Sequence, residues 1–332
     1  MIHNGMKKII LVVTLFLLSS ISMANELQAR KDINKQVKEL VLNQKYSELE
    51  VMAEKFRENE SRTSSGLWML TLFYGAIGEI NIDKKKDPQA WISLRKKVDF
   101  WMSKYPNSPT PYIVKSIILK DEAWSIRGNG YARSVKPESW KPFHKKVEES
   151  RAVLEDSIDV SSQDPHWYVV MANIATIQSW KEDKFESLIQ SGLTKNQYYF
   201  QLYFDVMRYY TPKWHGSAEK IEAFANQAVD RTKEKEGAGM YARIYWAASQ
   251  SHFEGRVFEN SNVRWEVMSK GISDVLQKYP DQWNINNFSL FSCLAKDKQK
   301  TKELISMINT SPIRDGWLGN IRNYEYCKNW SL

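Results

Sequence analysis

The chain has 332 residues, 42% of them hydrophobic and 26% charged, with a formal net charge of +8. That apolar and aromatic content excludes intrinsic disorder, since chains that stay unfolded lack the surface to bury. With 14 Gly, 10 Pro and 2 Cys it is neither collagen-like nor a disulfide-dense scaffold. The one long apolar run is N-terminal, so no internal membrane span is expected.

Lys7 and Lys8 precede the apolar stretch from Ile9 to Leu18. Small residues at Ser22 and Ala24 have the spacing that a signal peptidase accepts, so residues 1–24 read as a signal peptide cut after Ala24. Met6 directly before the two lysines is the more compact start. The apolar run is shorter than the roughly 20 residues a bilayer span requires. No Cys follows the cut, so no lipid anchor on an N-terminal Cys is expected. Residues 25–332 then form one exported domain, periplasmic or secreted, and losing Lys7 and Lys8 lowers the formal charge from +8 to +6. A basic exported chain meets anionic lipid headgroups, acidic polysaccharide or an acidic protein partner of the envelope; nucleic acid is not expected. The run Lys84-Lys85-Lys86, between Asp83 and Asp87, reads as a solvated turn.

Helical periodicity runs along almost the whole chain. Leu27, Ile33, Val37, Leu40 and Val41 recur at three- and four-residue steps. Leu49, Met52 and Phe56 continue the pattern, and Leu67 to Ile80 is apolar enough to be buried. Asp87 is an N-cap with Pro88 at the first helical position, where its missing N–H costs nothing. That helix carries Trp91, Leu94, Val98 and Trp101 and stops at Tyr105-Pro106. Further helices are expected at 110–127, 138–160, 165–180, 183–191, 196–210, 217–234, 238–254, 261–278, 284–295 and 298–309. Strand alternation is nowhere convincing, so the fold class is all-α.

The connectors repeat. Ser103-Lys104-Tyr105-Pro106 and Gln277-Lys278-Tyr279-Pro280 each end one helix and are followed by an aromatic, Tyr112 or Trp283, in the next. Asp164-Pro165-His166-Trp167 makes the same kind of junction. Proline cannot continue the first helix yet suits the first turn of the second. Unit starts near 26, 66, 110, 165, 196, 238 and 284 give seven irregular helix pairs with a mean spacing of about 43 residues, within the range of two-helix solenoid repeats. An α/α superhelix of TPR-like pairs follows. Small residues where paired helices approach are Gly75 and Ala76, Ala172 and Ala175, Ala225 and Ala228, and Ala247 and Ala248.

Two segments depart from simple repeats. In 123–140, Gly128 reads as a left-handed helix C-cap, and the connection is long enough to be a functional insertion or a plug. Arg127 among aromatics suits a carboxylate or phosphate clamp, or else a structural stack on Trp. Trp124, Arg127, Tyr131 and Trp140 are the first candidates for partner binding. In 210–217, Ser217 is an N-cap supported by Glu219, while Pro212, Trp214 and Gly216 make a rigid turn. That turn either locks one helix pair onto the next or offers Lys213, Trp214 and His215 to a ligand.

Ala-Trp-x-x-Arg-Gly-x-Gly-x-Ala at 123–132, Asp-Pro at 164–165 and Pro-Lys-Trp-x-Gly-Ser at 212–217 together resemble a bacterial family of exported TPR-like helical-repeat proteins, the domain of unknown function 4034 type. The resemblance covers roughly residues 100–255. Members of that family often carry Gly where His215 stands. It implies an exported helical repeat protein and carries over no catalytic residue.

No enzyme signature stands out. His144, His166, His215 and His252 lack the spacing of a helix-borne zinc site, there is no nucleophile elbow, and the Gly-rich loop lacks a P-loop Lys. Neither a metal nor a cofactor is expected. Cys293 and Cys327, alone in an oxidising compartment, invite one disulfide; two buried thiols are the alternative. Thirteen Trp read mostly as packing between pairs. The leading expectation is a non-enzymatic protein-binding or scaffold module, with an envelope glycan-acting enzyme using Trp platforms and paired carboxylates second.

Overall fold

The computed structural model of the chain describes residues 26–80, 87–128, 130–214 and 216–332. The expected signal peptide, residues 1–24, and the triple-lysine run therefore lie outside the described residues. The helices are α1 Glu26–Leu42, α2 Tyr46–Glu58, α3 Met69–Gly78, α4 Pro88–Lys104, α5 Pro109–Arg127, α6 Pro137–Asp156, the short α7 Ile158–Ser161, α8 His166–Ile177 and α9 Glu182–Lys195. They continue as α10 Phe200–Tyr209, α11 Ala218–Glu236, α12 Gly239–Ala248, the short α13 Val257–Asn260, α14 Trp265–Lys278, α15 Gln282–Leu294, α16 Lys298–Ser306 and α17 Ile321–Ser331. Among the described residues there is no strand beyond one isolated bridge, Arg62 to Trp68. The fold is all-α, and no described helix is long and apolar enough to cross a membrane.

The local rules explain the boundaries. The Asp87 side chain accepts from the Gln89 amide at 2.9 Å, with Pro88 in the first turn. Tyr105 and Tyr279 end their helices with nearly the same backbone, φ −128°, ψ 59° and φ −132°, ψ 69°. Asn196, which no proline marks, does the same with φ −132°, ψ 52°. The repeated junction is thus a conformation more than a dipeptide.

Several expected spans are corrected. α3 starts at Met69 because Ser61–Trp68 folds as a tight turn, with the Met69 amide on the Ser61 carbonyl at 2.7 Å. The expected 138–160 helix breaks at Ser157, whose hydroxyl turns back to the Val153 carbonyl at 2.7 Å. The 238–254 helix loosens after Ala248 into a π-helical turn, Ser249–Phe253. α17 was not expected as a helix.

The helices that open the seven expected pairs start at 26, 69, 109, 166, 200, 239 and 282, close to the expected starts. In order, α1 packs on α3, α3 on α5, α5 on α8, α8 on α10 and α10 on α12. The Trp246 indole of α12 donates to Asn287 of α15 at 2.9 Å. This neighbour-on-neighbour order is compatible with the expected superhelix. One feature goes further: α15 also contacts α1. Arg30 lies 4.6 Å over the Trp283 ring, and Arg243 and Asn284 both donate to the Ser65 carbonyl, at 2.7 and 3.1 Å. The row of first helices returns to its start.

Burial follows position in that row. α8, α12 and α15 are buried on nearly every side. The second helices bury single stripes, such as Ile221, Phe224, Ala225, Ala228 and Thr232 on α11, as amphipathic helices covering a core must. Ala172, Ala175, Ala225 and Ala228, expected at close approaches, lose nearly all their surface. Gly75 does not: a Cβ there would meet nothing within 4 Å.

A buried polar chain runs across the pairs. Asp164, with no exposed surface, accepts from Arg57 Nε of α2 at 2.8 Å and from the Tyr74 hydroxyl of α3 at 2.7 Å, and it caps the His166 amide at 2.8 Å. His166 stacks on Tyr74 with ring centres 4.3 Å apart, and its Nδ1 meets the Tyr199 hydroxyl at 2.8 Å. Burial, with the Lys120 charge adding, pushes the His166 imidazole down from 6.5 to about 3. The ring therefore stays neutral in the folded chain but takes a proton in the unfolded chain as pH falls. Stability contributed at neutral pH is lost between about 6.5 and about 3. A drop of about 2 kcal/mol from pH 7 to pH 5 is expected from this group. Urea unfolding at the two pH values should show it, and His166→Gln should show less of it.

Candidate functional site

The first helices enclose a continuous groove. Its widest part, about 550 Å3, is lined from α1, α3, α5, α8 and α10, with Asn34, Gly75, Asp121, Asn173 and Asp205 among its residues. Gly75 thus serves the groove, not a helix contact. Lys120, Asn173 and Arg208 also line a neighbouring cavity of about 360 Å3. Arg30 and Gln201 lead into a third cavity of about 180 Å3.

The 360 Å3 cavity joins parts of both segments singled out in the sequence. Trp124 from α5 and Lys213 and Trp214 from the turn after α10 line it with Lys120, Arg208 and Thr211. Three cations and two indoles thus share one concavity, and no carboxylate lines it among the described residues. Lys120 is held by Asp121 at 3.2 Å and Arg208 by Asp205 at 3.6 Å. Lys213 is exposed. Its charge, after partial burial, helps hold the His252 imidazole below its usual range.

The turn that presents Trp214 depends on Gly216. A Cβ at Gly216 would lie 1.9 Å from the Tyr210 carbonyl oxygen, so any larger residue must displace the backbone. Gly216→Ala is expected to cost about 2–3 kcal/mol as an overpacked site, read by thermal unfolding, and to shift the Trp214 fluorescence. The Ser217 hydroxyl caps the Lys220 amide at 3.3 Å. His215 lies outside the described residues.

The remaining candidates sit elsewhere. The Arg127 guanidinium is 5.0 Å from both the Trp124 and Trp140 rings and donates to the carbonyls of Gly128 and Gly130 at 3.0 and 3.1 Å. It ties the start of the long connection to the end of α5. Gly128 closes that helix with φ +80°, the conformation that favours glycine, and its amide bonds the Trp124 carbonyl at 2.7 Å. Trp140 stacks on His144 at 5.7 Å. Tyr131 is 74% exposed. Of these residues only Trp124 reaches the groove.

Residues that sequence reasoning missed include Arg208, Trp246, Trp283 and Arg243. Trp246 carried no signal apart from helical spacing and Trp283 only its place after the Tyr279-Pro280 junction; they share one cavity, beside the seam where α15 meets α1. Glu79, Asp121 and Asp205 line the groove as well. Each is engaged: Glu79 by Asn34 at 2.6 Å and Lys38 at 3.0 Å, Asp121 by Lys120, Asp205 by Asn173 at 3.0 Å and by Gln201. No group of three or more His, Cys, Asp or Glu that would hold a metal occurs among the described residues. Comparisons with models of protein families, with curated proteins and with solved structures find no match for this chain.

Proposed function

We propose that this chain is an exported, non-enzymatic binding module of the TPR-like helix-pair type, which takes an acidic, partly apolar polypeptide of the cell envelope into its groove. The observation that carries the proposal is the 360 Å3 cavity, which Lys120, Arg208 and Lys213 line together with Trp124 and Trp214. Cations steer and orient an acidic segment, and indoles are the side chains most often found to anchor an interface. A row of repeats presents such a face continuously because each pair touches mainly its neighbours. Export is supported by the pattern of residues 7–24 and by the Cys293–Cys327 bond, since disulfides persist in oxidising compartments. Trp124 from one of the motifs that resemble an exported helical-repeat family of unknown function, and Lys213 and Trp214 from the other, line this same cavity.

Selection from a displayed random-peptide library against residues 25–332 tests the proposal. Peptides combining acidic with aromatic residues should be enriched. Lys213→Glu together with Trp214→Ala should weaken a selected peptide by about 30-fold or more, while Lys145→Glu on α6 leaves it unchanged. Failure to enrich any sequence class, or equal binding by the groove variant, would overturn the reading. Release of fragments from peptidoglycan or an oligosaccharide would favour a glycan-acting enzyme instead.

A further inference from the structure

At the seam where α15 meets α1, the third cavity holds about 180 Å3. Phe204 and Trp246, in edge contact with ring centres 6.0 Å apart, line it with Trp283. Arg243, only 7% exposed, also lines it. One of its terminal nitrogens donates to the Ser65 carbonyl at 2.7 Å, while Nε is buried without an acceptor.

The charge of Arg243 lacks a counter-ion among the described residues. Phe200 and Tyr279 offer ring faces at 5.2 and 5.4 Å. The two carboxylates whose fields reach it are already committed, Glu236 to Lys278 at 2.6 Å and Glu26 to Arg30 at 2.7 Å. Burial pushes the guanidinium down to about 10. Buried charges in proteins are ordinarily paired, because desolvation costs several kcal/mol per ion.

We infer that this cavity is a binding site for a small aromatic monocarboxylate, its ring held among Phe204, Trp246 and Trp283 and its carboxylate at Arg243. A planar guanidinium is matched to a carboxylate in shape and charge. No acidic residue lines the cavity among the described residues, so an anion meets no carboxylate in its wall. The volume is slightly above the roughly 150 Å3 that admits benzene. Arg30 and Gln201 line both this cavity and the groove beside it. The inference goes beyond the polypeptide-binding proposal and does not depend on it.

Titration of residues 25–332 with phenylacetate, followed by calorimetry and by the fluorescence of Trp246 and Trp283, tests it without any partner. Saturable binding is expected, with phenylacetamide and phenethylamine each at least about tenfold weaker, a difference set by the carboxylate alone. Arg243→Gln, if its circular dichroism is that of the parent, should abolish the preference for the acid over the amide. Equal binding of acid and amide by the unaltered chain would overturn the inference. So would no saturation by about 10 mM, or an undiminished preference in folded Arg243→Gln. The comparison of acid with amide decides the matter even if that variant does not fold.

Discussion

Asp164→Ala is expected to destabilise the chain by about 3–5 kcal/mol, the cost of leaving a buried partner charge uncompensated. In thermal unfolding that is a fall of about 10 °C for a domain of this size. Asp164 is fully buried and joins Arg57 of the first pair to Tyr74 of the second and to the start of α8 in the fourth. Arg57 also donates to Thr110 of α5 at 3.0 Å. Burial alone would lower the Arg57 guanidinium, yet Asp164 and Tyr74 together hold it above its ordinary value. Removing Asp164 strands that cation and uncaps α8. Asp164→Asn, which keeps an acceptor but loses the charge, should cost less. A variant as stable as the parent would mean that the polar chain is not what fastens the first four pairs.

Much of the architecture was legible in the sequence because it rests on local rules. Helical spacing, the Asp87-Pro88 start, the Ser217 cap and the Tyr-Pro junctions all act within a few residues. They located the seven first helices to within four residues of where they lie. What local rules cannot supply is the return of α15 to α1. That contact joins residues more than two hundred positions apart, such as Asn284 and Ser65, and no periodicity encodes it. The site was legible in the same partial way. Trp124, Lys213 and Trp214 stood out by their motifs, whereas Arg208 and Arg243 looked like ordinary helix-surface and helix-core positions. Arg127 shows the limit of composition. An arginine among tryptophans reads equally well as a clamp or as a stack, and only its two carbonyl partners and two ring contacts reveal what it touches.

Reduction of the disulfide carries the second large effect. The Cys293 and Cys327 sulfurs are bonded across 34 positions, linking α15 to α17. Opening a loop of that length is expected to cost about 3–4 kcal/mol through the entropy of the unfolded chain. The loss should fall on the C-terminal end. Trp317, fully buried, donates from its indole to Asn286 at 2.8 Å and packs edge-on to Tyr324 at 5.2 Å. Denaturant unfolding with and without reductant, with Cys327→Ser as a second arm, measures the cost. Hydrogen exchange should place the extra opening in α17 and leave α5 and α8 protected.

The most direct test of a groove-borne partner is photo-crosslinking in the living host. Benzoylphenylalanine placed at Trp214, inside the groove, is set against the same residue at Lys145, exposed on α6. Irradiation should yield a discrete envelope-protein adduct from position 214 that Lys120→Glu suppresses, and none from position 145. Adducts from 145 alone, or from both positions with the same partner and no effect of Lys120→Glu, would place recognition on the outer helices and contradict the account.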